Sequence, residues 1–131
     1  MKLKYILVFT VAFFVSAITN SQERVWLDSD LKVTTKPMAS YYRIGELKGK
    51  KASIFFTNGT IFRKLSVINS KKEGKFEEYY KSGNLKIIGK FKNDLEDGIW
   101  KTFYKNGKIK ERGKYSNGEK VGVWKIFYKN I

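Results

Sequence analysis

Residues 98–121 read GIWKTFYKNGKIKERGKYSNGEKV, and residues 74–97 read GKFEEYYKSGNLKIIGKFKNDLED. Laid one on the other without a gap, the two stretches agree in their glycines and aromatics. Gly74, Gly98 and Gly122 keep a step of 24 residues, as do Phe76, Trp100 and Trp124. The pairs Phe55-Phe56, Tyr79-Tyr80, Phe103-Tyr104 and Phe127-Tyr128 keep it too, as do Gly59, Gly83 and Gly107. Ile61, Leu85 and Ile109 follow, then Val67, Phe91 and Tyr115, then Asn69, Asn93 and Asn117. A fixed period of this length marks a chain built of one repeated supersecondary unit. The units are 50–73, 74–97, 98–121 and a partial unit 122–131. In the first of them Lys50 stands where the glycine would be, with Gly49 just before it.

Each unit predicts a β-hairpin. Asn58-Gly59 and Asn106-Gly107 are the favoured central pair of a two-residue type I′ turn, and Ser82-Gly83 is a weaker form of it. The flanking runs are rich in aromatic and β-branched residues, which suit a pleated surface. Glycine recurs too often for a helix, and no 3.6-residue period runs through the segment. A two-residue turn at Asn106-Gly107 sets Tyr104 opposite Ile109, Thr102 opposite Glu111 and Trp100 opposite Gly113. It likewise sets Tyr80 on Leu85, Phe76 on Gly89, Phe56 on Ile61 and Ala52 on Leu65. Rings meet glycine, and where the ring becomes alanine the glycine becomes leucine, as constant packing volume requires. Gly113→Val is therefore expected to clash with Trp100.

Alternation along the strands then defines two faces. One carries Phe56, Ile61, Leu65, Phe76, Tyr80, Leu85 and Phe91, continuing through Trp100, Tyr104, Ile109, Tyr115, Trp124 and Tyr128; this is the expected core. The other carries an aromatic column, Phe55, Tyr79, Phe103 and Phe127. Around Phe103 it adds Lys101, Lys105, Lys108, Lys110, Arg112 and Lys114, with no acid among them.

The chain has 131 residues, enough for one small domain. Its 27 Lys and Arg against 12 Asp and Glu give a net charge of +15. It has no Cys and no His, so thiolate nucleophiles, disulfides and the commonest metal ligand and general base are absent. Aromatics at 16% set it apart from a disordered basic tail. At the N-terminus, Met1-Lys2-Leu3-Lys4 is short and positive, Tyr5 to Ala17 is uncharged and apolar, and Ala17 to Gln22 is small and polar. That order is the layout of a secretory signal peptide, predicted over 1–21 with cleavage near Ser21. The apolar run is too short to span a bilayer as a helix. Export to the periplasm, outer surface or medium is the expectation.

The pattern carried by Gly74-Lys75-Phe76, Tyr79-Tyr80, Gly83, Leu85, Gly89, Phe91 and Asn93 repeats in Gly98-Ile99-Trp100, Phe103-Tyr104, Gly107, Ile109, Gly113, Tyr115 and Asn117. It resembles a MORN-type repeat in its variant bacterial form, of the kind labelled YwqK-family antitoxins. The first unit departs from the motif at Lys50, Ala52, Leu65 and Val67. Residues 26–49 are similar to the lead-in of secreted Bacteroidetes-type repeat proteins. The resemblance implies an elongated, twisted antiparallel sheet of stacked hairpins, a binding role and no catalytic residues. Residues 22–49 are expected to cap the front of this all-β sheet, with a strand in Tyr41 to Glu46 after the break at Pro37. Residues 50–131 form the repeat domain, and Val123 to Tyr128 is expected as an edge strand able to self-associate or take a partner strand.

No residue constellation points to catalysis. Glu77 and Glu78 face opposite sides of a strand and cannot work as a pair. Asp94, Glu96 and Asp97 fall short of the oxygens that Ca²⁺ usually takes. No cofactor and no metal are expected. The leading function is a non-catalytic extracytoplasmic module that binds an unidentified protein partner. The first alternative is electrostatic association with anionic lipid or polysaccharide through Lys101, Lys105, Lys108, Lys110, Arg112 and Lys114. Phe55, Tyr79, Phe103 and Phe127 are the second candidate surface. Nucleic acid fits an exported chain poorly. The second alternative, implied by the family label, is the antitoxin of a toxin–antitoxin pair.

Overall fold

The computed structural model describes residues 22–128; the expected signal segment 1–21 and the last three residues lie outside them. The strands are β1 (Arg24–Leu27), β2 (Tyr41–Ile44), β3 (Gly49–Phe56), β4 (Ile61–Ile68) and β5 (Lys71–Tyr79). They continue as β6 (Leu85–Lys92), the two-residue β7 (Leu95–Glu96), β8 (Gly98–Phe103), β9 (Ile109–Ser116) and β10 (Glu119–Ile126). One short 3₁₀ turn, Lys36–Met38, is built on Pro37. The strands form a single open antiparallel sheet in chain order, with β7 pairing only β6. Sequential hairpins give that order directly, because each strand meets the next without a crossover.

The turns correct the sequence expectation. Asn58, Ser82 and Asn106 are outside the positive-φ region, and only Gly59, Gly83 and Gly107 lie in it, at +90°, +92° and +82°. Gly107 N–H donates to the Tyr104 carbonyl at 2.9 Å and Tyr104 N–H to the Lys108 carbonyl at 2.8 Å. That is a three-residue loop, a type I turn followed by a left-handed glycine. The other two glycine turns repeat it through Phe56/Thr60 and Tyr80/Asn84. The added loop residue, with a bulge beside it, shifts the pairing next to the turn. Phe103 faces Ile109, Tyr79 faces Leu85 and Phe55 faces Ile61, in place of Tyr104, Tyr80 and Phe56. The type I′ turns lie at the opposite ends of the strands. Asn69-Ser70 and Asn93-Asp94 have φ of +50°/+60° and +50°/+68°, and Asn117-Gly118 has +49°/+82°. Asparagine tolerates this region, so its recurrence every 24 residues marks the true two-residue turns.

Farther from the turns the expected register holds: Trp100 faces Gly113, Thr102 faces Glu111, Phe76 faces Gly89 and Ala52 faces Leu65. The opening glycines sit at breaks in the ladder. Gly122, φ +65°, lies inside the slip between Val121 and Lys125, and Gly74, φ +92°, inside the slip of β5 against β4. In the first unit Gly49, φ +82°, adjoins the slip before Ala52 and replaces the missing glycine one position early.

One face carries the core. Ala52, Leu65, Phe76, Phe91 and Trp100 form a buried spine, with Val67, Ile87, Tyr115 and Trp124 packed against it. Trp100 meets Phe91 edge to face at 5.1 Å and lies tilted on Phe76 at 5.6 Å. Such ring pairs add about 0.5–1.5 kcal/mol each beyond burial. The ring over Gly113 is Trp124, not Trp100: a Cβ there would lie 2.1 Å from it, while one on Gly89 would lie 2.2 Å from Trp100. Each tryptophan leans toward the strand before it, as the Trp100 Nε1–H bond to the Lys90 carbonyl at 3.2 Å also shows. In the same slot of the first unit Leu65 replaces glycine and the smaller Phe76 replaces tryptophan. Of the other expected core residues Tyr128 is exposed, at 84%.

A second cluster, Leu27, Ile54 and Phe62 with Tyr41 and Phe56, joins the front strands to the repeats. The front edge is covered. Asp28 Oδ1 accepts the Asp30 and Lys32 amides, Val33 bridges Leu27, and Thr34 N–H bonds the Trp26 carbonyl. At the other end β10 pairs β9 on one side only.

Candidate functional site: a lysine-rich sheet face

The spine residues alternate with residues that point to the opposite face. From β8 to β10 that face presents Lys101, paired with Arg112, and Arg112 in turn paired with Lys125. Lys114 pairs with Ile99 on one side and Val121 on the other. The four cations surround an open groove of about 560 Å³ whose floor is Ile99, Val121, Gly113 and Val123. Ile99 is 59% and Val123 82% exposed. Among the described residues no acid lines this groove.

The same face carries a second groove at β3–β5, about 440 Å³, lined by Lys51, Ser53, Lys64, Leu65, Lys75 and Glu77. Lys75 also pairs with Lys90 of β6. Glu77 is the acid here. It bonds Lys75 at 2.7 Å and raises that ammonium above its ordinary value through this hydrogen bond and its charge. The lysine side chain is exposed and the glutamate largely covered, so solvent screens the pair from the lysine side. Between the two grooves the row passes through Glu77 and Ile88, which pair with each other.

The six expected cations therefore divide. Lys101, Arg112 and Lys114 come together. Lys105 flanks a turn with Asn106, and Lys108 follows Gly107 at the hairpin tip. Lys110 reaches to 5.9 Å over the Tyr104 ring. Sequence reasoning missed Lys125, Lys51, Lys64, Lys75 and Lys90 as members of the same face. The signal was present: the same alternation that placed Lys101 places them, once carried beyond the strands around Phe103.

The aromatic column is dispersed. Phe55 stacks on Tyr42 at 5.2 Å, with Trp26 next to Tyr42 at 5.6 Å. Tyr79 lies under the Lys64 ammonium at 5.3 Å. The carbonyls of Phe103 and Phe127 accept hydroxyl hydrogen bonds from Tyr80 at 2.7 Å and Tyr104 at 2.9 Å. Among the described residues no two of the four rings stack on each other. At Phe103 and Phe127 the backbone carbonyls join one hairpin to the next.

Two carboxylates of the core face are paired with cations. Glu78, with its side chain 5% exposed, accepts from Arg63 at 2.7 Å and from Lys86 at 2.8 Å. Glu111 accepts from Lys120 at 3.0 Å. Glu78 is thus a paired structural carboxylate, and Glu77 stands on the other face. Asp94 bonds the Lys72 amide at 2.7 Å, which ties one unit's turn to the previous one. Among the described residues no cluster of acids is arranged to hold a metal ion.

Residues 72–93 and 96–117 match the family described as MORN repeat variant. No curated protein matches the chain.

Proposed function

We propose that this chain, a MORN-type repeat protein, is a non-catalytic binding module that works outside the cytoplasm and docks an anionic partner through its lysine-rich sheet face. Repeats of this family generally bind proteins or membranes and carry no catalysis. One observation carries the choice of face. On the core face Glu78 and Glu111 are paired with cations, whereas the opposite face gathers Lys101, Arg112, Lys114 and Lys125 with no acid among the described residues of their groove. Unpaired like charge raises the cost of folding through self-repulsion and draws in a partner of opposite sign. A Lys or Arg held near an anionic membrane surface contributes about 1 kcal/mol.

The test is co-sedimentation of the purified protein with anionic and with neutral vesicles at low and high salt. Binding to the anionic vesicles alone, lost at high salt and lost in the Arg112→Glu/Lys114→Glu variant, is the expected result. Salt-independent binding would move the site to the edge of β10. That second reading, capture of a protein partner, rests on the exposed apolar run of Val123, Ile126 and Tyr128.

A further inference from the structure

Building on that docking face, we infer that its ligand is a linear polyanion of the polyuronate kind, an acidic sugar chain, lying across the strands and touching both cationic grooves. The cations of β8–β10 form a row. Arg112 is the cross-strand neighbour of both Lys101 and Lys125, so successive members of the row are carried on strands about 4.8 Å apart. A second group, Lys51, Lys64 and Lys75, stands on β3–β5 of the same face. Six strand steps separate β3 from β10 along the sheet, a path of about 30 Å.

Sheet twist decides the shape of the ligand. Neighbouring strands rotate by about 20–25° in one sense, which accumulates to roughly 90° over the four steps from β4, the middle of one group, to β9, the middle of the other. A flat bilayer that meets the β8–β10 row therefore turns away from the β3–β5 group. A flexible chain can follow the twist and meet both. The groove floor adds a second requirement. Ile99 and Val123 are exposed aliphatic side chains set between the cations. A bare phosphate chain offers them nothing. A uronate ring offers a carboxylate to the cations and a C–H face to the floor.

Two linked contacts on one chain multiply, because the second forms at a high effective concentration. The experiment is titration of the purified protein with uronate oligomers at low salt. One set is too short to leave the β8–β10 groove, and the other is long enough to reach β3. Two variants of the lysine face accompany it: Lys51→Thr/Lys64→Thr/Lys75→Thr, and Lys101→Thr/Arg112→Thr/Lys114→Thr/Lys125→Thr, each checked for an unchanged β-sheet spectrum. The long oligomers are expected to bind about tenfold or more tighter than the short ones. The β3–β5 variant should lose that gain and leave short-oligomer binding intact, while the β8–β10 variant should lose both. Affinity independent of oligomer length, or long-oligomer binding unaffected by the β3–β5 variant, overturns the inference. If anionic vesicles still bind in that case, the docking face stands and its ligand is a membrane. If neither vesicles nor oligomers bind, the face itself is not a binding site.

Discussion

A methyl group on Gly113 would sit 2.1 Å from Trp124, and one on Gly89 would sit 2.2 Å from Trp100. Tyr115 closes on Trp124 edge to face at 5.0 Å and Phe91 does the same to Trp100, so each ring is blocked on one side. Gly113→Ala and Gly89→Ala should each destabilise by about 1–3 kcal/mol in urea unfolding, the usual cost of overpacking. The partner can be identified by coupling. Gly113→Ala should lose most of its cost in a Trp124→Ala background and keep it in a Trp100→Ala background, since only contacting residues depart from additivity. The sequence shows that a ring must lie near each glycine. It does not show which ring, because cross-strand pairing names the residue opposite, and the direction in which a side chain leans depends on the strand beyond.

Turns decide the element scale. An Asn-Gly pair satisfies two loop types, a two-residue type I′ turn and the glycine end of a three-residue loop. Both place Gly107 in the left-handed region, so the dipeptide alone cannot separate them. The two loops differ in what they ask of the asparagine. Asn93, at φ +50°, pays for a left-handed backbone, whereas Asn106 stays outside that region and only accepts the Lys108 amide at 3.1 Å. Asn93→Ala should therefore cost roughly 1–2 kcal/mol, and Asn93→Gly close to nothing. Asn106→Ala should cost only the turn hydrogen bond, about 0.5–1.5 kcal/mol. Chemical denaturation of the three variants measures the ranking, and equal losses at Asn93→Gly and Asn93→Ala would remove the argument from backbone strain.

The joints between hairpins belong to the same scale. Tyr80 and Tyr104 donate their hydroxyls to the carbonyls of Phe103 and Phe127, almost one full repeat ahead. The Asn84 amide donates to the Lys105 carbonyl at 2.8 Å in the same direction. The repeat period was legible in the sequence, but these joints were not, since no local pattern marks a tyrosine whose hydroxyl reaches the next unit. Tyr104→Phe removes one joint and keeps the ring. It should lower stability by about 0.5–1.5 kcal/mol. The loss should be local, with faster amide exchange in β10 and unchanged protection in β3–β6; a uniform change across the sheet would show that the units do not open separately.

Over the whole molecule, the two faces of one sheet handle charge in opposite ways. The core face sets Glu78 between Arg63 and Lys86, and Glu111 beside Lys120. On the other face, Glu77 is the acid that interrupts the row between Lys64 and Lys101. Composition already shows the excess of positive charge, and strand alternation already puts part of it on one face. The extent of the track depends on the long-range order of the strands, which no local window contains. Glu77 gives that track a direct test. Glu77→Lys removes the acid, frees Lys75 from its partner and makes the row from Lys64 to Lys125 continuous apart from Ile88. Added self-repulsion should lower stability slightly, and more so at low salt. Binding should move the other way, because each added cation near an anionic ligand contributes about 1 kcal/mol, or roughly fivefold in affinity. The two effects are read separately, by thermal unfolding without ligand and by titration with a long polyanion at two salt concentrations. A gain in affinity with a steeper salt dependence, alongside a small loss of stability, follows if charge on this face serves binding. Unchanged affinity would mean that the ligand does not cross the centre of the sheet.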